Sequence, residues 1–330
     1  MIGEGVVKEM VQNGNYYVSQ REFWDYYYKH RDAKCLINGG GTKDNLFREF
    51  VNVVYLELSS SCNRKCSYCP VSIYPRKQKH MDEKLFINLI DMLAELDYRN
   101  TISLSLYNEP LLDDKLLVRT QYIHDNLPFS YIRFNSNGDY LDADCIKQLS
   151  LSGVKEIQVT AHFLPGEMWN DEVAIGRVQE LLGRIKATSD ITNFTPGHNV
   201  TTDFIYDGVR LLILANNWEA DGNSRGGVVT NLNCKNRVAP CSAPFREVAI
   251  DVDGNVRQCC NMYVSSAPMF SIRTRDISDI FCAEEMNRLR KELLSFGEKN
   301  NTACKTCNTF DYSMNYSANI WNGKWATLIK

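Results

Sequence analysis

Three cysteines in the stretch Cys62-Asn63-Arg64-Lys65-Cys66-Ser67-Tyr68-Cys69-Pro70 follow directly on an apolar run, Val53-Val54-Tyr55-Leu56-Glu57-Leu58. The run reads as a strand, so the thiols fall on the loop at its C-terminal end, the rim where a barrel of parallel strands keeps its chemistry. Three thiolates can hold a cubane iron–sulfur cluster and leave one iron without a protein ligand. A closed structural zinc site requires a fourth ligand nearby, and neither His80 nor any other local side chain stands at an obvious spacing for it. An iron left open can bind a substrate or cosubstrate.

From residue 51 onward the pattern alternates strand and helix. Asp82 can cap a helix whose Leu85, Phe86, Leu89, Ile90 and Leu93 share one face. A strand over Ile102 to Tyr107 leads to Asn108-Glu109-Pro110. A helix near 114–126, a strand over Tyr131 to Asn135, a helix near 142–151 closed by Gly153, and a strand over Glu156 to Ala161 continue the series. Val178, Leu181, Leu182 and Ile185 mark another helix, and Val200 to Tyr206 and Val209 to Ala215 bring the strands to about six. Strands and helices alternating in this way predict right-handed crossovers and a parallel sheet, an α/β fold in the form of a partial (β/α)6 barrel.

The segment before the barrel, 1–50, carries an aromatic stretch, Phe23-Trp24-Asp25-Tyr26-Tyr27-Tyr28, read as part of a helical extension. Gly39-Gly40-Gly41 reads as a linker, since no strand precedes it and no Lys-Ser/Thr follows in place. Cys35 reads as an incidental thiol.

Near residue 235 the chain becomes cysteine-rich and short-stranded. Phe245 to Val252 alternates at period two, Asp253-Gly254-Asn255 is a hairpin turn, and Val256-Arg257-Gln258 leads into Cys259. A helix with Met286, Leu289 and Leu293 on one face precedes Cys304-Lys305-Thr306-Cys307 and an aromatic tail with Trp321 and Trp325. Cys241, Cys259, Cys304 and Cys307 form a four-thiol set that folding can close around a zinc ion or an iron–sulfur cluster alike.

The composition narrows the partners. A net charge of −3, with no block of Lys or Arg, argues against nucleic acid. No run approaches the roughly 18 to 20 apolar residues that span a bilayer, and Met1-Ile2-Gly3-Glu4-Gly5 lacks the basic and apolar regions of a signal peptide. A cytoplasmic chain with no membrane partner is expected, and there clustered cysteines mean metal binding or catalysis rather than disulfides.

The CxxxCxxC loop, with the aromatic Tyr68 before its last cysteine, resembles the signature of the radical S-adenosylmethionine (radical SAM) enzymes. The resemblance implies that Cys62, Cys66 and Cys69 hold a [4Fe–4S] cluster whose open iron chelates SAM, and that reduction yields a 5′-deoxyadenosyl radical able to abstract hydrogen. Downstream, Cys241-Ser242-Ala243-Pro244-Phe245, then Gly254 to Cys259, then CxxC, resembles the Twitch form of the SPASM module. That likeness implies a second, auxiliary [4Fe–4S] cluster on Cys241, Cys259, Cys304 and Cys307. The implied domains are the extension 1–50, the radical SAM core 51–235 and the auxiliary module with its tail, 236–330.

The family's loop after the second strand, often GGEP, helps bind the SAM amino group; here Tyr107-Asn108-Glu109-Pro110 occupies it, without the glycines, and Glu109 carries the role over. Ser136 and Asn137 stand at the family's ribose-contacting position. Arg225 is a candidate for the SAM carboxylate or an acidic substrate, and His162, at the end of a strand, is the histidine expected near the pocket. Cys145 and Cys282 are expected within and near the start of helices as small buried groups, and Cys234 is a second choice to Cys241.

A redox-neutral inversion needs a hydrogen donor for the substrate radical, whereas dehydrogenation needs an electron acceptor and a base. Cys260, next to Cys259, is the candidate donor. The auxiliary spacing resembles that of enzymes that oxidise or epimerise a carbinol carbon in aminoglycoside-type natural products. A small sugar or aminocyclitol substrate is therefore expected, with a reductant such as flavodoxin or ferredoxin. Modification of a ribosomal peptide, by epimerisation or cross-linking, is the alternative, and a non-catalytic zinc protein that binds a partner is the reading from a different class. Metal analysis separates the last, since two cubanes predict about eight irons per chain against zinc alone.

Overall fold

The structure is a computed structural model that describes residues 42–230, 241–263, 269–293, 298–300 and 302–308. The aromatic stretch 23–28, Cys35, the triple glycine, Cys234, Trp321 and Trp325 lie outside the described residues. Strands β1 (Val53–Leu56), β2 (Thr101–Ser103), β3 (Tyr131–Ser136), β4 (Val154–Thr160), β5 (Asn193–Thr195), β6 (Asn199–Tyr206), β7 (Val209–Asn216), β8 (Glu247–Ile250), β9 (Asn255–Arg257) and β10 (Phe270–Ser271) make up the strands of the described residues. They form one sheet in the order β10-β9-β8-β1-β2-β3-β4-β7-β6-β5.

Six of these strands run parallel, but not the six the hydrophobic pattern suggests. Val200 to Tyr206, expected as a parallel barrel strand, instead pairs antiparallel with β7, with Tyr206 opposite Val209. The turn between them is Asp207-Gly208, at φ +47° and +79°, the two-residue hairpin that positive φ at both positions permits. The sixth parallel strand comes from farther along the chain. β8 lies alongside β1 in register, Val54 opposite Val248 and Leu56 opposite Ile250. β9 then turns back on β8 through Asp253-Gly254, with Gly254 at φ +86°.

The crossover helices Glu83–Glu95, Leu116–Asn126, Ala143–Leu151 and Asp171–Arg184 have conventional causes. Asp82, Asp142 and Asn170 cap three of them by accepting the N–H groups of Leu85, Cys145 and Val173. Their apolar stripes, for example Leu85, Phe86, Leu89, Ile90 and Leu93, bury against the outer face of the sheet, where Val54, Leu56, Ile102, Ile132, Phe134, Ile157 and Val248 belong to the same core. Helix Lys43–Phe50 adds Phe47 edge-on to Phe281. Cys282 is the C-cap of helix Ile277–Phe281 and, as expected, stands just before the start of the next helix, Glu284–Leu293.

The opposite face of the sheet is polar. Register places Tyr55, Ser103, Arg133, Glu156 and Arg210 opposite one another along one row across β1, β2, β3, β4 and β7. Within it Glu156, fully buried, holds Arg133 Nε at 2.8 Å and Arg210 Nη1 at 2.9 Å. Charges buried at such cost are retained where they face a ligand cavity or fix its walls.

Candidate active site

The cysteine loop leaves β1 as expected and is held from both sides. Arg76 clamps the buried carboxylate of Glu57 with two hydrogen bonds, at 2.6 and 2.9 Å. Arg64 and Asn63 both donate to Asp139, which follows β3. Cys69 starts a short helical turn, Pro70–Ile73, and its N–H closes back on the Cys66 carbonyl at 3.1 Å. Cys62, Cys66 and Cys69 are free thiols, each half-buried. Burial, with the neighbouring thiols adding, pushes Cys66 up to about 11 and Cys62 above the usual thiol range. Three half-buried free thiols on one loop, with no histidine between Cys62 and Cys69, fit a cluster ligated on three corners.

Glu109 sits at the end of the β2 loop, 2% exposed. Its Oε1 accepts from Ser136 Oγ at 2.8 Å and Leu111 N at 3.1 Å, and its Oε2 from Asn137 N at 2.7 Å. Desolvation outweighs these bonds and raises its pKa. Asn137 in turn donates from Nδ2 to Asn63 Oδ1 at 2.8 Å and accepts the Asp139 N–H at 2.9 Å. Glu109, Ser136 and Asn137 are therefore brought together, and Asn137 ties them to the cysteine loop.

Tyr68 meets Nδ1 of His162 at 2.5 Å and stacks on Trp218 with ring centroids 5.4 Å apart. Burial pushes His162 down to about 3, so the ring is neutral. This aromatic group bounds the rim beside the cysteine loop.

Cys241, Cys259, Cys304 and Cys307 line one cavity of about 220 Å³ whose opposite wall is the polar inner face of the sheet, including Tyr55, Arg133, Asn135, Gln158 and Glu247. Cys241 is packed with Ala243, Leu289 and Leu293, and Cys259 and Cys304 border that apolar cluster. Burial first, then Glu247 and the neighbouring thiols, pushes Cys259 well above its usual range. Four thiols facing one space, with Cys241 and Cys259 unbridged like Cys304 and Cys307, fit a fully ligated cluster.

Cys260 lines the same cavity, its thiol hydrogen-bonded to Glu247 and Tyr55, and its N–H reaches Glu247 Oε1 at 3.4 Å. Arg225 also lines it, its guanidinium 6.0 Å over the ring of Tyr107. The buried atoms Gln258 Oε1 and Trp218 Nε1 have no hydrogen-bond partner among the described residues, and both residues border the cavity.

Tyr55, Arg133, Glu247 and Trp218 escaped sequence reasoning. Tyr55 and Arg133 stand inside strands read only for their apolar alternation, and Glu247 would have counted as a solvent-facing residue of a hairpin. The available signal was Arg133, a charged residue inside a strand expected at the sheet centre, where a charge must be paired or face a cavity.

A parallel sheet with a three-thiol loop at the end of its first strand, and with a four-thiol pocket built by the later part of the chain, has the ligand sets of an iron–sulfur enzyme. The radical SAM superfamily model matches residues 56–199, and the SPASM model, an iron–sulfur cluster-binding domain, matches residues 241–308. The chain carries a radical SAM domain and a SPASM domain, and is an enzyme that uses SAM and [4Fe–4S] clusters. It is 28% identical over 271 residues to the S-adenosyl-L-methionine-dependent 2-deoxy-scyllo-inosamine dehydrogenase of Niallia circulans, a match covering 80% of this chain and 94% of that protein. The fold superposes on the crystal structure of BtrN in complex with AdoMet and 2-DOIA with TM-score 0.60 at 24% identity, covering 78% of this chain and 93% of the other. Selenomethionine BtrN in an open conformation gives TM-score 0.54 at 23% identity, over 78% and 92%. Among the described residues, no helix is long and apolar enough to cross a membrane.

Proposed function

We propose that the chain dehydrogenates a carbinol carbon of a small polyhydroxylated ring, of the sugar or aminocyclitol type. The observation that carries this reading is the cavity bordered by Cys241, Cys259, Cys304 and Cys307 on one side and by the polar face of the sheet on the other. Its wall offers amide, indole, guanidinium and carboxylate groups, among them the unpartnered Gln258 Oε1 and Trp218 Nε1. The kinship to a dehydrogenase of 2-deoxy-scyllo-inosamine supports the same class.

In this reading Cys62, Cys66 and Cys69 ligate the SAM-binding cluster, and Cys241, Cys259, Cys304 and Cys307 the auxiliary one. The SAM cluster, when bound, supplies the 5′-deoxyadenosyl radical that takes a substrate hydrogen. Glu109 has about four lone-pair sites, and three are taken by Leu111, Ser136 and Asn137, leaving one on Oε2 for the SAM amino group. Ser136 and Asn137 hold that carboxylate in place at the ribose edge, Tyr68 walls the SAM pocket, and Arg225 presents a cation to SAM or substrate oxygen. A flavodoxin or ferredoxin in the cytoplasm supplies the reducing electron.

Cys260 favours a second reading, inversion at the carbinol carbon. Its thiol faces the cavity between Tyr55 and Glu247, placed to return a hydrogen atom to a substrate radical. Anaerobic reconstitution followed by incubation with SAM, dithionite and 2-deoxy-scyllo-inosamine tests both readings. Dehydrogenation gives 5′-deoxyadenosine and a product lighter by two hydrogens, and inversion gives a product of unchanged mass. Absence of both 5′-deoxyadenosine and product would sink the substrate assignment.

A further inference from the structure

Two of the auxiliary cysteine loops carry an asparagine just beyond their last thiol, Asn261 after Cys259-Cys260 and Asn308 after Cys307. Both reach into one segment, residues 222–227. Asn261 Oδ1 accepts from Arg225 Nη1 at 2.8 Å and from Asn223 Nδ2 at 3.1 Å. Asn308 Oδ1 accepts the Ser224 N–H, and its Nδ2 donates to the Gly222 carbonyl at 3.1 Å. Ser224 Oγ donates to the Thr306 carbonyl at 2.9 Å.

The segment needs such fastening. Arg225, Gly226 and Gly227 lie at φ +48°, +71° and +86°, a run of left-handed backbone that a side-chain-bearing residue such as arginine adopts only when its surroundings impose it. At Gly227 even a methyl group would overlap the Thr306 side chain. The result is a tight loop whose one cation lines the cavity.

The chemistry of position 261 is informative. Among the described residues Arg225 has no carboxylate within ion-pair distance; it is oriented by a neutral amide. An aspartate there would orient the guanidinium equally well but neutralise it. Asparagine fixes the direction and leaves the charge for a ligand oxygen.

We propose that Asn261 is a positioning residue that aims Arg225 into the substrate cavity, and that Asn308 locks the same loop to the Cys304–Cys307 turn. The auxiliary ligand loops thereby build one wall of the substrate site in addition to holding their cluster. The proposal rests on the cavity's being the substrate site.

The test uses the full-length, anaerobically reconstituted holoenzyme with SAM, dithionite and 2-deoxy-scyllo-inosamine. Asn261→Ala is expected to raise the KM for that compound about ten-fold, the scale of one charge-assisted hydrogen bond, with kcat changed much less and iron content as in the wild type. Trypsin cleavage of the Arg225–Gly226 bond, followed by mass spectrometry, needs no substrate. It is expected to be about ten-fold faster in Asn261→Ala and in Asn308→Ala, while Asn261→Asp, which keeps the acceptor, cleaves at the wild-type rate. An Asn261→Ala enzyme with unchanged cleavage overturns the proposal whatever its KM, and so does one that loses iron, since the asparagine would then serve the cluster. If the wild type fails to turn over 2-deoxy-scyllo-inosamine, the substrate reading fails while the protease arm still decides the clamp.

Discussion

Ser136 donates its hydroxyl to the carboxylate of Glu109 at 2.8 Å, and both side chains are buried at the rim of the sheet. With the N–H groups of Leu111 and Asn137 on the same carboxylate, no edge of Glu109 that faces the protein can carry a hydrogen. Glu109→Gln puts an amide N–H against one of these donors, which costs about 1–3 kcal/mol. A lower Tm under anaerobic conditions and weaker SAM binding by equilibrium dialysis are expected. Wild-type values for both would refute the assignment of Glu109.

The two thiol sets should fail independently. Cys62→Ala, Cys66→Ala or Cys69→Ala is expected to remove about half of the roughly eight irons and to abolish 5′-deoxyadenosine formation. Cys304→Ala should also lose about half the iron, yet still cleave SAM with dithionite while making no product. Iron assay and chromatography of 5′-deoxyadenosine read both. Full SAM cleavage by Cys66→Ala would show that another group ligates the open-iron cluster.

Cys260 separates oxidation from inversion. If the thiol returns hydrogen to the substrate, Cys260→Ser in deuterated solvent loses deuterium incorporation into product and still forms 5′-deoxyadenosine. If the reaction is dehydrogenation, the same variant keeps making the oxidised product, at a rate altered only by repacking beside Tyr55 and Glu247.

Asp139 predicts an acid limit for the cysteine loop. Burial alone would lift its carboxyl, but hydrogen bonds from Arg64 and Asn63 outweigh it and hold the pKa below the usual aspartate value. A carboxylate depressed in the folded state adds stability that is complete above the unfolded pKa of about 3.9 and is lost as pH falls through the lower folded value. The Tm difference between wild type and Asp139→Asn should therefore stay constant from pH 7 to about pH 5 and shrink below about pH 4. A difference that grows on acidification would mean that the Arg64 pairing does not stabilise the fold.

The parts of this protein that are local in sequence were legible there. Cys62, Cys66, Cys69 and the helix caps at Asp82 and Asp142 depend on neighbours within a few residues, and spacing reveals them. The antiparallel turn of β6 was also written locally, in Asp207-Gly208, but the alternating pattern of its flanks matches a barrel strand equally well. What stayed hidden is long-range. Glu247 faces the cavity only because β8 pairs with β1, nearly two hundred positions earlier. Asn261 and Asn308 acquire meaning only when two loops fold over Arg225.

The pairing of β8 with β1 also limits how the chain can be divided. A fragment ending at residue 236 would leave the Val53–Leu56 ladder with a raw hydrogen-bonding margin at the middle of the molecule, beside apolar side chains. Such a fragment is expected to self-associate rather than survive as a minimal SAM-cleaving unit. The cluster-bearing C-terminus is thus a stave of the barrel itself, and exchanging it between enzymes amounts to rebuilding the barrel rather than swapping a cassette.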